Sequence, residues 1–188
     1  MDALMAGLVL GALCQLGDRT PWLAAILGDR FRAPGAVIAA AALALAGNYA
    51  LGALGGILIA PLLAPEARDM LMALALVLAG IGTSWRDKAP DRLVNWRLGA
   101  ILTSTLGLGI MVFGDRMQFI VAALAARSTL PWLAAVGATL GALAITMPAI
   151  LIGEARWIAL PRRACSLATG GCMILAGIFI GLRAIALI

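Results

Sequence analysis

Six apolar runs, over residues 3–27, 36–60, 70–85, 98–126, 131–152 and 164–188, follow one another along the chain with only short polar breaks. A run of about 20 apolar residues crosses a bilayer as a helix, so the pattern predicts an all-α integral membrane protein with six transmembrane helices. The first and fourth runs are long enough to be tilted or broken, and each contains a polar island. These islands are Gly17-Asp18-Arg19-Thr20 and Gly114-Asp115-Arg116-Met117-Gln118. Glycine weakens a helix, and in the first run Pro21 also removes a backbone donor, so breaks are expected near Gly17-Asp18 and Gly114-Asp115.

The two islands are 97 positions apart, and the same shift brings Ala25 onto Ala122, Leu27 onto Leu124, Arg30 onto Arg127, Ala41 onto Ala138 and Leu43 onto Leu140. A three-helix unit reverses its direction when repeated. The chain therefore reads as one membrane domain, 1–188, in two inverted three-helix repeats, 1–85 and 98–188, joined by a polar loop over 86–97. In many secondary transporters built this way the substrate site lies near the midplane, at the repeat interface, where helices are discontinuous. The duplicated motif falls at that place. Small residues suggest how helices meet: Gly7, Gly11, Gln15 and Asp18 share one helical face, and Ser104, Gly107, Met111, Asp115 and Gln118 share another. The Gly137/Gly141 and Gly177/Gly181 pairs read as packing seams.

Composition agrees with a membrane protein: of 188 residues 63% are hydrophobic and 12% charged. The net charge of +5 would point to nucleic acid in a soluble chain, but here the basic residues sit mostly at the ends of apolar runs and act as topology signals. No nucleic-acid partner is expected; the partners are the lipid bilayer, a small solute and protons, with a second copy of the chain also admissible. Arg30, Arg32, Arg86, Lys88, Arg92, Arg97, Arg156, Arg162 and Arg163 fall on one side, against Arg68, Arg127 and Arg183 on the other. By the positive-inside rule the first group is cytoplasmic and both termini are periplasmic, in a multi-pass protein of a bacterial inner membrane. The N-terminus lacks the basic stretch of a secretory signal, so the first run is expected to be a permanent span. Cys14, Cys165 and Cys172 form neither a disulfide framework nor a metal pair and are expected to be packing residues. The chain has no histidine, which removes the usual general base, and an enzyme is not expected.

Ionisable residues within lipid are costly and are normally paired or functional. Asp18 and Asp115 offer hard oxygen ligands for Mn²⁺, Ca²⁺ or Mg²⁺ and can also carry protons. Gln15, Gln118 and Thr20 add neutral oxygens, and Asn48 is a further candidate, equally readable as an interhelical hydrogen bond. Adjacent residues on a helix do not face each other, so ion pairs are expected across the halves: Asp18 with Arg116, and Asp115 with Arg19.

Six spans in two inverted halves, each with Gly-Asp-Arg, and a basic central loop resemble the transmembrane protein 165 family, the Golgi calcium and manganese/proton antiporters and their bacterial manganese-exporting relatives. The family motif is Glu-x-Gly-Asp-Lys/Arg-Ser/Thr. Gly17-Asp18-Arg19-Thr20 matches it, as does Gly114-Asp115-Arg116, and the downstream Ala-x-Leu-x-x-Arg is similar at Ala25 to Arg30 and Ala122 to Arg127. Gln15 and Val112 stand where the family has glutamate, and Met117 replaces the second Ser/Thr. Two carboxylates remain of an expected four, and with both arginines the formal charge of the constellation is zero, which predicts weaker divalent-cation binding. The resemblance implies a secondary transporter exporting manganese or calcium against protons, with no cofactor beyond the transported ion. The alternatives are a non-transporting membrane component of the same fold, and an exporter of another solute, such as an anion held by Arg19 and Arg116.

Overall fold

The computed structural model describes residues 2–84 and 89–185. Trp85, Arg86 and Lys88, and with them part of the central loop, lie outside the described residues. Among the described residues eight α-helices follow one another: α1 (Asp2–Gln15), α2 (Arg19–Phe31), α3 (Pro34–Ile59), α4 (Pro65–Ser84), α5 (Gly99–Val112), α6 (Arg116–Arg127), α7 (Trp132–Ala159) and α8 (Arg162–Ala184). Pro34 and Pro65 open α3 and α4, where a missing N–H costs nothing.

Both expected breaks are present, between α1 and α2 and between α5 and α6. Among the described residues, three helices are long and apolar enough to cross a membrane: α3 with the 3₁₀ turn that follows it, α7 and α8. The pair α5 and α6, bent by 70°, makes a fourth if taken as one span. The remaining two expected spans differ for separate reasons. At 1.5 Å per residue α1 is only about 21 Å long, so its span would need α2 as well. The first turns of α4 carry Glu66, Arg68 and Asp69, and Asp69 holds Arg127 of α6 at 2.8 Å.

The helices pack through small residues, as lipid-embedded helices must when no hydrophobic effect drives them together. α1 and α2 lie on α7, α5 and α6 lie on α3, and α4 lies on α8. In the first contact a Cβ on Gly137 or Gly141 would strike the carbonyl oxygens of Leu4 and Leu8. In the second, a Cβ on Gly52 would come within 2.8 Å of the Gln118 carbonyl. In the third, Gly80 faces Gly170 and Gly177 faces Ala73, which makes α4 and α8 antiparallel. Large apolar side chains such as Leu43, Leu58, Leu151, Leu175 and Phe179 are left exposed on the outside, a surface suited to lipid.

At the far end of α2 the chain is tied to two other segments. The Arg30 guanidinium donates to the carbonyls of Leu93, Val94 and Trp96, at 2.6, 3.3 and 2.7 Å. Asp29 accepts from the Glu154 N–H at 2.7 Å, where α7 is interrupted by Gly153 at φ 79°. The fifth apolar run was expected to end at residue 152, and the interruption falls at the next position. Cys14 is a buried thiol and Cys165 and Cys172 are exposed ones, all three unbridged.

Candidate functional site

Gly17 and Gly114 adopt φ of 91° and 75°, conformations that side chains resist, and each lets the chain turn out of its helix. The turns are closed alike, by Asp18 N–H to the Gln15 carbonyl at 3.3 Å and Asp115 N–H to the Val112 carbonyl at 3.0 Å. Each aspartate then becomes the N-cap of the next helix, in extended backbone. An N-cap carboxylate satisfies orphan N–H groups and sits at the positive end of the helix dipole. Asp18 accepts from Thr20 N–H at 3.2 Å and from the Thr20 hydroxyl at 2.7 Å. In the second copy Met117 has no hydroxyl, and Asp115 accepts from Arg116 N–H at 2.6 Å.

The two caps meet through one side chain. Arg116 Nη2 lies 2.6 Å from Asp18 Oδ1, and its Nε lies 3.6 Å from Asp115 Oδ1. The first expected ion pair is therefore formed across the halves. The second takes another form: Asp115 is met by its own neighbour Arg116. The rule that adjacent helical residues do not face each other does not apply, because Asp115 precedes its helix as a cap. Arg19 is exposed and lines the same space. That space is a cavity of about 410 Å³, bounded by Asp18, Arg19 and Thr20 from the first break and Gly114, Asp115 and Arg116 from the second. Gly82 of α4 closes one side, where a Cβ would stand 3.0 Å from Arg116 Cδ.

The amides divide into two kinds. Gln118 is fully engaged: its Oε1 accepts from Gly114 N–H at 2.7 Å and its Nε2 donates to the Asn48 carbonyl at 3.1 Å. Asn48 Nδ2 donates to the carbonyls of Ala44 and Gly109, at 2.9 and 3.2 Å, so Asn48 takes the interhelical role and ties α3 to α5. Gln15 is different. It is fully buried, its Nε2 donates to the Tyr49 hydroxyl at 3.3 Å, and its Oε1 has no hydrogen-bond partner among the described residues. Tyr49 was not singled out from sequence, although the lone tyrosine of the chain in the middle of an apolar run is a signal that a hydroxyl must find a partner there. Among the described residues no three His, Cys, Asp or Glu side chains gather closely enough to hold a metal ion. An ion in the cavity would rely on two carboxylates plus neutral oxygens.

Apolar helices, with two matched charged breaks opening on one cavity, are features of a membrane transporter. The family model described as divalent cation/proton antiporter GDT1 matches residues 3–91 and 100–186, and the chain belongs to that family. It is also 32% identical over 162 residues to a Vibrio cholerae protein named as a manganese exporter, an alignment covering 82% of this chain and 78% of the relative. No solved structure matches the chain.

Proposed function

We propose that the protein exports a divalent cation, manganese in the first place and calcium in the second, across a bacterial inner membrane in exchange for protons. The observation that carries this reading is the bridge of Arg116 between the aspartate caps of the two breaks. In the resting site one guanidinium partly neutralises both carboxylates. A cation entering the cavity competes with Arg116 for Asp18 and Asp115, and protons compete with the cation for the same oxygens. Thr20 and Gln15 supply neutral ligands; Gln118 and Asn48 hold the second break in place behind them. Arg19 balances charge at the cavity wall. Mn²⁺ and Ca²⁺ suit such an all-oxygen set, and the name of the Vibrio cholerae relative favours Mn²⁺. No resident cofactor enters this scheme.

The architecture assigned to this function is one membrane domain of two inverted three-helix repeats, with α1–α2 and α5–α6 as the broken first and fourth spans. The helix contacts support it. Exchanging the halves turns the packing of α1 and α2 on α7 into that of α5 and α6 on α3, and returns α4 on α8 to itself. The family model likewise matches in two stretches, 3–91 and 100–186, divided in the second half of the central loop. The orientation follows the arginine bias, with periplasmic termini. Cysteines introduced at Asp2 and Asp91, after removal of the three native ones, test it: an impermeant reagent should label position 2 and spare position 91 in intact cells. The reverse pattern would invert the orientation.

Flux tests the activity. Proteoliposomes should show saturable Mn²⁺ transport that a pH gradient accelerates, and Asp18→Asn or Asp115→Asn should abolish it. Absence of flux for Mn²⁺, Ca²⁺ and Mg²⁺ alike would assign the chain to a non-transporting role on the same fold.

A further inference from the structure

The Gln15 amide is a buried group in an unusual condition. Its donor end is satisfied by Tyr49, while its acceptor end, fully shielded from outside, meets no donor among the described residues. Buried acceptors are normally paired, because an unpaired one loses its water without compensation. Gln15 also closes the turn that sets Asp18, since its backbone carbonyl accepts from Asp18 N–H at 3.3 Å. Gln15 thus stands at the start of the turn that presents a carboxylate of the cavity, with its own side chain buried rather than among the residues that line the cavity.

We infer that Tyr49 is a positioning residue for ion binding: its hydroxyl captures the NH₂ end of the Gln15 amide and thereby holds Oε1 unpaired, as a neutral ligand for the transported ion. The inference rests on the transport reading above and adds a residue to it. The chemistry explains why a positioner is needed here. A carboxylate has two equivalent oxygens and presents one to an ion whichever way it is turned. An amide has a single oxygen, and a half-turn about its last torsion replaces that oxygen with an NH₂ group that repels a cation. A chain with glutamine at this position needs something to choose between the two faces. Tyr49 is fully buried in α3, packed in one apolar cluster with Cys14, Val112 and Met117, so its ring has little room to yield. In this structure the phenol accepts from the NH₂ at 3.3 Å, and the oxygen is the end left over.

The difference between amide and carboxylate also supplies the test, a two-by-two set of variants assayed for Mn²⁺ flux in proteoliposomes: the parent protein, Tyr49→Phe, Gln15→Glu, and the two together. In the parent background Tyr49→Phe should raise the KM for Mn²⁺ about five- to tenfold with the maximal rate within about twofold, the size expected from one misplaced hydrogen-bonding group. In the Gln15→Glu background the same substitution should leave KM unchanged or lower it, because either carboxylate oxygen serves and the phenol no longer competes for one of them. Gln15→Met, which keeps the length of the side chain and removes its oxygen, should reproduce the KM increase of Tyr49→Phe. An equal KM increase in both backgrounds would make Tyr49 a packing residue and overturn the inference, as would an unchanged KM in both Tyr49→Phe and Gln15→Met. Lack of saturable Mn²⁺ flux by the parent protein would instead overturn the transport reading itself, and this inference with it.

Discussion

Removing either member of the Asp18–Arg116 pair should lower stability by about 3–5 kcal/mol, the cost of leaving a buried charge without its partner. The pair spans the two breaks at 2.6 Å, with the Asp18 side chain 9% and the Arg116 side chain 19% exposed. Asp18→Asn takes from Arg116 the shorter of its two carboxylate contacts and leaves the longer one to Asp115, and Arg116→Gln leaves two carboxylates facing one cavity without the guanidinium between them. The double variant removes both charges together and should recover part of the loss, with a coupling of about 1–3 kcal/mol, while staying inactive in transport. Arg19 behaves differently. It is exposed, and Arg19→Gln should cost no more than about 1 kcal/mol and add independently to Asp115→Asn. Thermal melts of the detergent-solubilised variants decide between these outcomes. Simple additivity for Asp18 and Arg116 would mean that the guanidinium spends its time elsewhere, most simply turned toward headgroups, and that the aspartates meet a cation without competition.

The breaks were legible in the sequence because the signal is local. A glycine followed by an aspartate inside an apolar run names both the residue that can take a positive φ and the residue that can cap the next helix, and the helices stop at Gln15 and Val112 and restart at Arg19 and Arg116. The packing seams were legible for the same reason, since Gly137 and Gly141 need only a neighbour close by. Which arginine meets which aspartate was half legible. The charge must be paired, and Asp18 to Arg116 followed from that. The double use of Arg116 depends on Asp115 being a cap rather than a helical residue, a distinction made by one ψ angle. The amides were harder still. Gln15 and Gln118 look alike as polar residues one turn from an aspartate, yet one keeps a free carbonyl and the other spends both ends on Gly114 and Asn48. Only the packing of α3 against α5 and α6 and the reach of its Tyr49 to Gln15 separate them, and spacing along the chain carries no trace of it. The short α1 and the charged start of α4 show why, among the described residues, three or four helices are long and apolar enough to span where six runs were read.

Adding carboxylates at Gln15 and Val112 should raise Mn²⁺ affinity at least tenfold while making the ion-free protein less stable. Both positions are fully buried, each three residues before its aspartate and in the turn that presents it. A glutamate at either place therefore puts a hard anionic oxygen beside the carboxylate already there. Without the ion, four acidic groups would share Arg116 and Arg19, and burying the added charges is costly. The melting temperature of Gln15→Glu with Val112→Glu should accordingly fall below that of the parent in chelator. In Mn²⁺ it should rise further than the parent's does, because a ligand stabilises the state it binds by an amount that grows with the ratio of its concentration to Kd. At an ion concentration about 100 times Kd this linkage is worth about 2.7 kcal/mol, comparable with the cost of one unpaired buried group. The two positions are not equivalent. The Gln15→Glu side chain keeps the Tyr49 hydroxyl as a neighbour able to donate to it, whereas the Val112→Glu side chain replaces an apolar member of the cluster that holds Tyr49 and Met117. Gln15→Glu alone should therefore give most of the gain in affinity, and Val112→Glu most of the loss in ion-free stability. If a folded double variant binds Mn²⁺ no more tightly than the parent, the turns at Gly17 and Gly114 do not form the cation site of this protein.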